Sequence, residues 1–373
     1  MKKTVFLAIL AASVAAVSCS KDTTTNSAEF ADGNVIGFKT YVPKSQLTKG
    51  SAIGNATELQ ATDFDVFAFT GSNQFMGASA SDGVNIVYNT GKWDYETASE
   101  KAYWPNDAAT KIDFFAVSPE TGTGLTKNFT SAEQKLDYEV PATPAQQCDL
   151  MYASAKNVSK GDRDGDGGNR TTGGVKFTFN HALSQVVFKA KVAVADYSVD
   201  VESVTVCNLV TKGSFAYSTE AWTNDAANVN NYDADIAAPA AGITTTATDL
   251  TTSANALLII PQTSTKWSVA DDGSSINDAN TAKQTYIKIS CKVANTKNGL
   301  SYIIGSADAY ADVYIPFQAN WTKGNKYTYT IVFCDPDGNN GYDPDGKPNN
   351  DDLLITFEPS VTPWTNQTDD VIM

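Results

Sequence analysis

The sequence predicts an all-β protein built as two tandem sandwiches, and three observations predict it. Apolar residues alternate with polar or small ones in many short runs, the period of a strand with one buried face. Those runs are rich in Val, Ile, Phe, Tyr and Thr, and clusters of Gly, Asn, Asp, Pro and Thr with turn chemistry separate them. No stretch longer than about ten residues carries a helical stripe.

Taken in order, the strands are "VIGFKTYV" from residue 35, then "FDVFAF", "IDFFAVSP", "VKFTFN", "QVVFKAKV", "VESVTV", "ALLIIP", "TYIKISCKV", "ADVYIPF", "KYTYTIVF" and "LLITFEPSV". Each could bury one face, so sandwich packing is expected. Short helical turns are expected only at "TSAEQKL" and "HALSQ". About 355 residues follow the leader described next, more than one core usually serves, so two domains are expected. The boundary falls in "NVSKGDRDGDGGNRTTGG", where apolar residues almost vanish and glycines permit any backbone geometry. That gives segments 1–18 (leader), 19–33 (tether), 34–172 (N-terminal sandwich) and 173–373 (C-terminal sandwich).

Lys2 and Lys3 precede an apolar run from Val5 to Val17 that is short for a membrane span, the layout of a secretory leader. "AVSC" then resembles a bacterial lipobox, with Ala16 where the commonest form has Leu. In that reading Cys19 is lipidated and becomes the new N-terminus, and an outer-membrane lipoprotein is expected. Lys21 and Asp22 follow it, resembling the export signal of surface lipoproteins in the Bacteroidales. The stretch to residue 33 has no apolar periodicity and reads as a tether.

Formal charge is −15, two units more negative once Lys2 and Lys3 leave with the leader. Nucleic acid is therefore not an expected partner. The cysteines beyond Cys19 stand at 148, 207, 291 and 334 with no C-x-x-C spacing, so zinc and dithiol chemistry are not indicated. Two of the four could pair, with the spacing not revealing which; Cys207 and Cys291 lie within strand alternation and read equally as buried free thiols. Asp162, Asp164 and Asp166 before Gly167 match the first half of a calcium loop, but Gly173 stands where a bidentate Glu is needed. Calcium and a solvated acidic linker are the two readings, and no other cofactor is expected. His181 is the sole histidine and no G-x-S-x-G occurs, so a structural, hydrogen-bonded His181 is expected and no enzyme. Trp222 and Trp267, in irregular segments, are the candidates for exposed aromatics that could stack on a glycan.

Several phrases in this order resemble the fimbrillin family, the subunits of type V pili. They are "ATDFDVFAF", "GKWDYETASEKAYWPNDAATKIDFFAVSP", "CDLMYAS", "VKFTFNHALSQVVFKAKV" and "NWTKGNKYTYTIVF" with "GYDPDG" and "LLITFEPSVTPW". Trp93, Tyr103, Trp104, Pro105, Phe114 and Phe115 are the recognisable positions of the first half. The resemblance implies two transthyretin-like sandwiches and a lipoprotein precursor cut after a basic residue, which frees the first strand. A strand from another subunit, self or related, then fills the opening. Here the bond between Lys49 and Gly50 in "LTKG" is the expected processing site, where the family more often has Thr-Arg-Ala. Residues 35–42 are the expected displaced strand. The C-terminal segment is the candidate donor, with Ile355 and Phe357 on one face and then Val361 and Trp364; equally, it could close its own sandwich. Expected partners are thus other fimbrial subunits, the outer membrane before processing, and a host protein or glycan. The alternative is an uncleaved surface lipoprotein, a fimbrial anchor or a glycan binder.

Overall fold

The computed structural model describes residues 35–42, 56–161, 174–236, 238–252, 255–269, 274–349 and 353–364, and these are almost entirely strands and turns. The first half contains β1 (Phe38–Tyr41), β2 (Phe64–Thr70), β3 (Asn73–Met76), β4 (Val84–Asn89), β5 (Lys92–Tyr95), β6 (Ile112–Ser118), β7 (Leu125–Phe129), β8 (Gln134–Glu139) and β9 (Met151–Val158). From residue 174 onward come β10 (Val175–Thr178), β11 (Asn180–His181), β12 (Ser184–Val192), β13 (Tyr197–Val210), β14 (Lys212–Ala216) and β15 (Ala221–Asn224). Next are β16 (Val229–Asp233), β17 (Ala240–Ile243), β18 (Thr248–Asp249), β19 (Leu257–Ile259) and β20 (Tyr286–Asn295). The last are β21 (Ser301–Ile304), β22 (Ala311–Pro316), β23 (Asn325–Phe333), β24 (Asn339–Asn340) and β25 (Leu354–Pro363).

The first sheet runs β11-β9-β6-β2-β4-β5, with β3 also on β2. Its central strands are buried on both faces, which is why "FDVFAF" and "IDFFAV" read as nearly continuous apolar runs. Phe64, Val66, Phe114 and Ala116 point to one core; Phe67, Phe69, Phe115 and Val117 point to another. The first core is covered by the parallel pair β1-β10. A four-stranded sheet, β15-β14-β8-β7, brings Phe129, Leu136 and Phe215 to the second, joined by Tyr217 just past β14. Here Phe67 stacks on Phe129 with ring centroids 4.1 Å apart.

The rest of the chain forms two facing sheets, one with β12-β23-β25 at its centre and one with β13-β20. Their inner residues, among them Val186, Phe188, Val204, Ile289 and Ile331, belong to the same continuous core as Phe67 and Phe129. Among the described residues, ladders join strands before residue 162 to strands after residue 173 at three places: β10 with β1, β11 with β9 and β14 with β8.

Helical structure differs from the sequence expectation. "TSAEQKL" is a tight turn, closed by Thr130 N–H donating to Glu133 O at 2.7 Å, that leads into β8. "HALSQ" joins β11 to β12. Among the described residues the α-helices are instead Ala56–Leu59 and Ile276–Thr281, with 3-10 turns at Ala98–Glu100 and Pro144–Gln146. The second α-helix starts with a reciprocal cap between Ser275 and Asp278, a signature readable in "SIND".

Candidate functional site: the groove filled by residues 35–42

β1 is a four-residue strand whose one ladder partner among the described residues is β10. Gly37 O accepts from Val175 N–H at 2.7 Å and Tyr41 O accepts from Phe179 N–H at 2.8 Å. On the other edge Ile36 N–H donates to Ala102 O at 2.9 Å, and Tyr95 Oη donates to Ile36 O at 2.7 Å. Burial pushes the Tyr95 hydroxyl well above its ordinary pKa, so it remains a donor. Gly174 permits the close crossing of β1 and β10: a Cβ there would lie 2.8 Å from Gly37 C, Gly37 O and Phe38 N.

Side chains hold this segment as much as the backbone does. Ile36, Phe38 and Val42 are buried, each contributing roughly 1.5–3 kcal/mol of apolar burial. Phe38 stacks on Phe177 at 5.7 Å and meets Phe64 and Phe114 edge-on, both at 6.4 Å. Thr40 Oγ1 accepts from Trp93 Nε1 at 2.7 Å. Without residues 35–42, the β10 edge would lack its partner and the aromatic floor of the first core would be open.

The C-terminal segment closes its own sheet: β25 pairs antiparallel with β23 from Phe333 opposite Ile355 to Asn325 opposite Pro363. Leu353 and Ile355 are buried and Phe357 meets Phe317 at 5.7 Å, whereas residues 358–363 are exposed, Val361 included. Trp364 is buried with its ring 4.0 Å from and parallel to His181. His181 Nδ1 lies 2.9 Å from Asp149 Oδ1, so His181 is a packed, hydrogen-bonded residue where the chain passes from β11 to β12.

Cys19, Lys49, Gly50, Asp162, Asp164 and Asp166 lie outside the described residues. Among the described residues no three of His, Cys, Asp and Glu are placed to hold a metal ion. Among the described residues Cys148, Cys207, Cys291 and Cys334 form no disulfide with one another, and burial pushes Cys207 up to about 11, away from reactive thiolate. The expected exposure of the two tryptophans is corrected. Trp267 is buried against Tyr286 and Tyr342, and Trp222 is half-buried on Phe215 with Nε1 donating to Ala182 O at 2.6 Å. Trp267 lies in an irregular segment that supplies a core residue, and Trp222 stands on β15, whose pairing with β14 sets it opposite Phe215. Sequence reading also missed the Trp93–Thr40 bond, because the partners stand 53 residues apart and nothing local links them.

These features define a β-sandwich protein whose first strand is a short, separately held plug. The chain belongs to the fimbrillin-like family, whose profile matches residues 48–364. Among solved structures it is similar to a fimbrial protein from Bacteroides vulgatus, with a TM-score of 0.59 and 17% identity over 89% of this chain and 100% of that one. It is also similar to a candidate cell adhesion protein from Bacteroides uniformis (TM-score 0.46, 13% identity, 90% of this chain and 100% of that one). A third is the tip fimbrial protein Mfa3 from Porphyromonas gingivalis (TM-score 0.35, 10% identity, 88% of this chain and 100% of that one). No curated protein sequence matches the chain.

Proposed function

We propose that this chain is a fimbrial subunit exported as a lipoprotein through Cys19 and assembled at the cell surface by strand exchange. Cleavage between Lys49 and Gly50 would free residues 35–42, and a strand from another subunit would take their place. The observation that carries the reading is a repeated pattern. The plug reads Ile36-x-Phe38-x-Thr40-x-Val42, and the C-terminal strand reads Ile355-x-Phe357-x-Pro359-x-Val361. A strand of this alternation offers apolar groups at the same spacing to the pockets of Ile36, Phe38 and Val42, while its backbone serves the β10 edge. Proline at the third position is not expected to remove a bond to β10, because alternate residues of a parallel strand face its partner, and Gly37 and Tyr41 are of the set that accepts from Val175 and Phe179. Polymerisation, not turnover, is the proposed activity.

The purified full-length chain is expected to stay monomeric in light scattering, and the chain freed of residues up to 49 is expected to form head-to-tail oligomers. A freed chain that neither associates at high concentration nor takes up an added strand of the same alternation would overturn the proposal. Protein taken from the cell surface is expected to begin at Gly50; a lipidated Cys19 terminus would make it a moored anchor instead. With Trp222 and Trp267 packed, no observation favours the glycan-binding alternative.

A further inference from the structure

We infer that the groove selects its occupant at the third inward-facing position, and that Trp93 does the selecting. This inference rests on the strand-exchange reading above and names the kind of partner strand it favours.

Trp93, on β5, is held in place by its neighbours: its ring lies 4.8 Å from Phe64 and 5.3 Å from Tyr88, both edge to face. So held, the indole Nε1 is directed to Thr40 Oγ1 at 2.7 Å. An indole N–H donates and cannot accept, so the residue opposite it must offer an acceptor. Threonine, serine, asparagine and aspartate do so; valine and proline do not. The other inward positions of the plug, Ile36, Phe38 and Val42, are apolar, and any strand with apolar residues at that spacing would satisfy them. The third position is therefore where the groove distinguishes between strands of the same alternation.

The C-terminal strand of a second copy would place Pro359 opposite Trp93. It would fit the ladder and the apolar pockets and leave the indole N–H with no side-chain partner. The loss of one such bond corresponds to about fivefold in occupancy, the equivalent of a net hydrogen bond of about 1 kcal/mol. The favoured occupant is thus a strand of a different subunit that reads apolar, aromatic, hydroxyl- or amide-bearing, apolar at alternate positions. Self-assembly is the weaker alternative, and the groove biases growth toward a mixed fibre.

Two measurements test this. In the intact chain, hydrogen exchange at residues 37–42 reports opening of the plug. Thr40→Val and Trp93→Phe are each expected to speed it about fivefold, the pair together no more than either alone, and Thr40→Ser not at all. Fully additive effects would overturn the inference. In the chain cut after Lys49, fluorescent peptides copying residues 34–42 are added, with Thr, Ser, Val or Pro at the third inward position. The Thr and Ser peptides are expected to displace the resident strand at about fivefold lower concentration than the Val and Pro peptides. Equal displacement by all four would overturn the selectivity and leave strand exchange standing. If no peptide enters, strand exchange itself fails, and the proposed partner choice falls with it.

Discussion

Replacing Phe38 with alanine is expected to release the first strand while leaving the rest of the fold intact. The ring is buried, stacked on Phe177 and edge-on to Phe64 and Phe114, and truncating such a residue costs about 3–5 kcal/mol. That cost falls on a short segment, retained among other contacts by a four-residue parallel ladder, the packing of Ile36 and Val42, the Lys176 ammonium 4.2 Å from the Tyr41 ring, and the bonds to Ala102, Tyr95 and Trp93. The neighbouring strands β2 and β6 are also held by each other and by β9, so they do not depend on the plug for their ladders. Opening of residues 36–42 is therefore expected to become a hundredfold or more easier as a local event. Hydrogen exchange resolved by segment checks this: rapid exchange at 36–42 with β2 and β6 still protected. Equal loss of protection across all three would mean that the plug is an integral part of the first core, and uncut Phe38→Ala protein would then not gain the capacity to take up a foreign strand.

Much of this site was legible in the sequence, and the part that was not has a physical reason. Period-two alternation marks "VIGFKTYV" and "LLITFEPSV" as strands with apolar faces, and the structure pairs both. Alternation states which residues share a face; it does not state which strand lies next door. The pairing of β14 with β8 and of β10 with β1 brings together residues far apart in the chain on either side of a glycine-rich linker. No local rule links Lys212 with Glu139. Burial misleads in the same way at Trp267, whose flanking "STKWSVA" lacks strand alternation. A satellite core of Trp267, Tyr286, Tyr314 and Cys207 forms from one irregular segment and three strands, β13, β20 and β22, and only the assembled sheet shows it. The ion pair that joins β2 to β7 was likewise invisible, since Asp65 interrupts an apolar run and reads as a solvent-facing residue.

That ion pair carries the other large expected effect. Asp65 is buried beneath β7, where Lys127 Nζ binds its Oδ2 and also donates to Glu120 O at 3.0 Å. Gly83 closes over the carboxylate: a Cβ on it would lie 2.9 Å from Asp65 Cβ and from the Phe67 ring. Burial holds the Asp65 carboxyl above its ordinary value of 3.8, while Lys127 pulls it down and Asp82 pushes it up. Lys127→Met leaves the carboxylate buried without its cation, a loss expected to cost about 3–5 kcal/mol at neutral pH. The sign of the pH dependence follows from linkage. With Lys127 gone the folded-state value rises further, so the folded chain binds a proton that the unfolded chain releases. The variant's deficit is therefore largest near neutrality, where Asp65 must stay charged or take up a proton against the pH. It shrinks as the pH falls through the raised folded-state value, and the relief is complete below 3.8. Asp63 and Glu120, also raised by burial, tilt every variant in the same direction, so the informative quantity is the difference between variants. Urea unfolding of the wild type, Lys127→Met and Asp65→Asn/Lys127→Met across that range checks it. The double variant is expected to recover most of the neutral-pH loss and to lose the extra slope. A Lys127→Met deficit that does not change with pH would show that the lysine contributes through its alkyl packing and not through its charge.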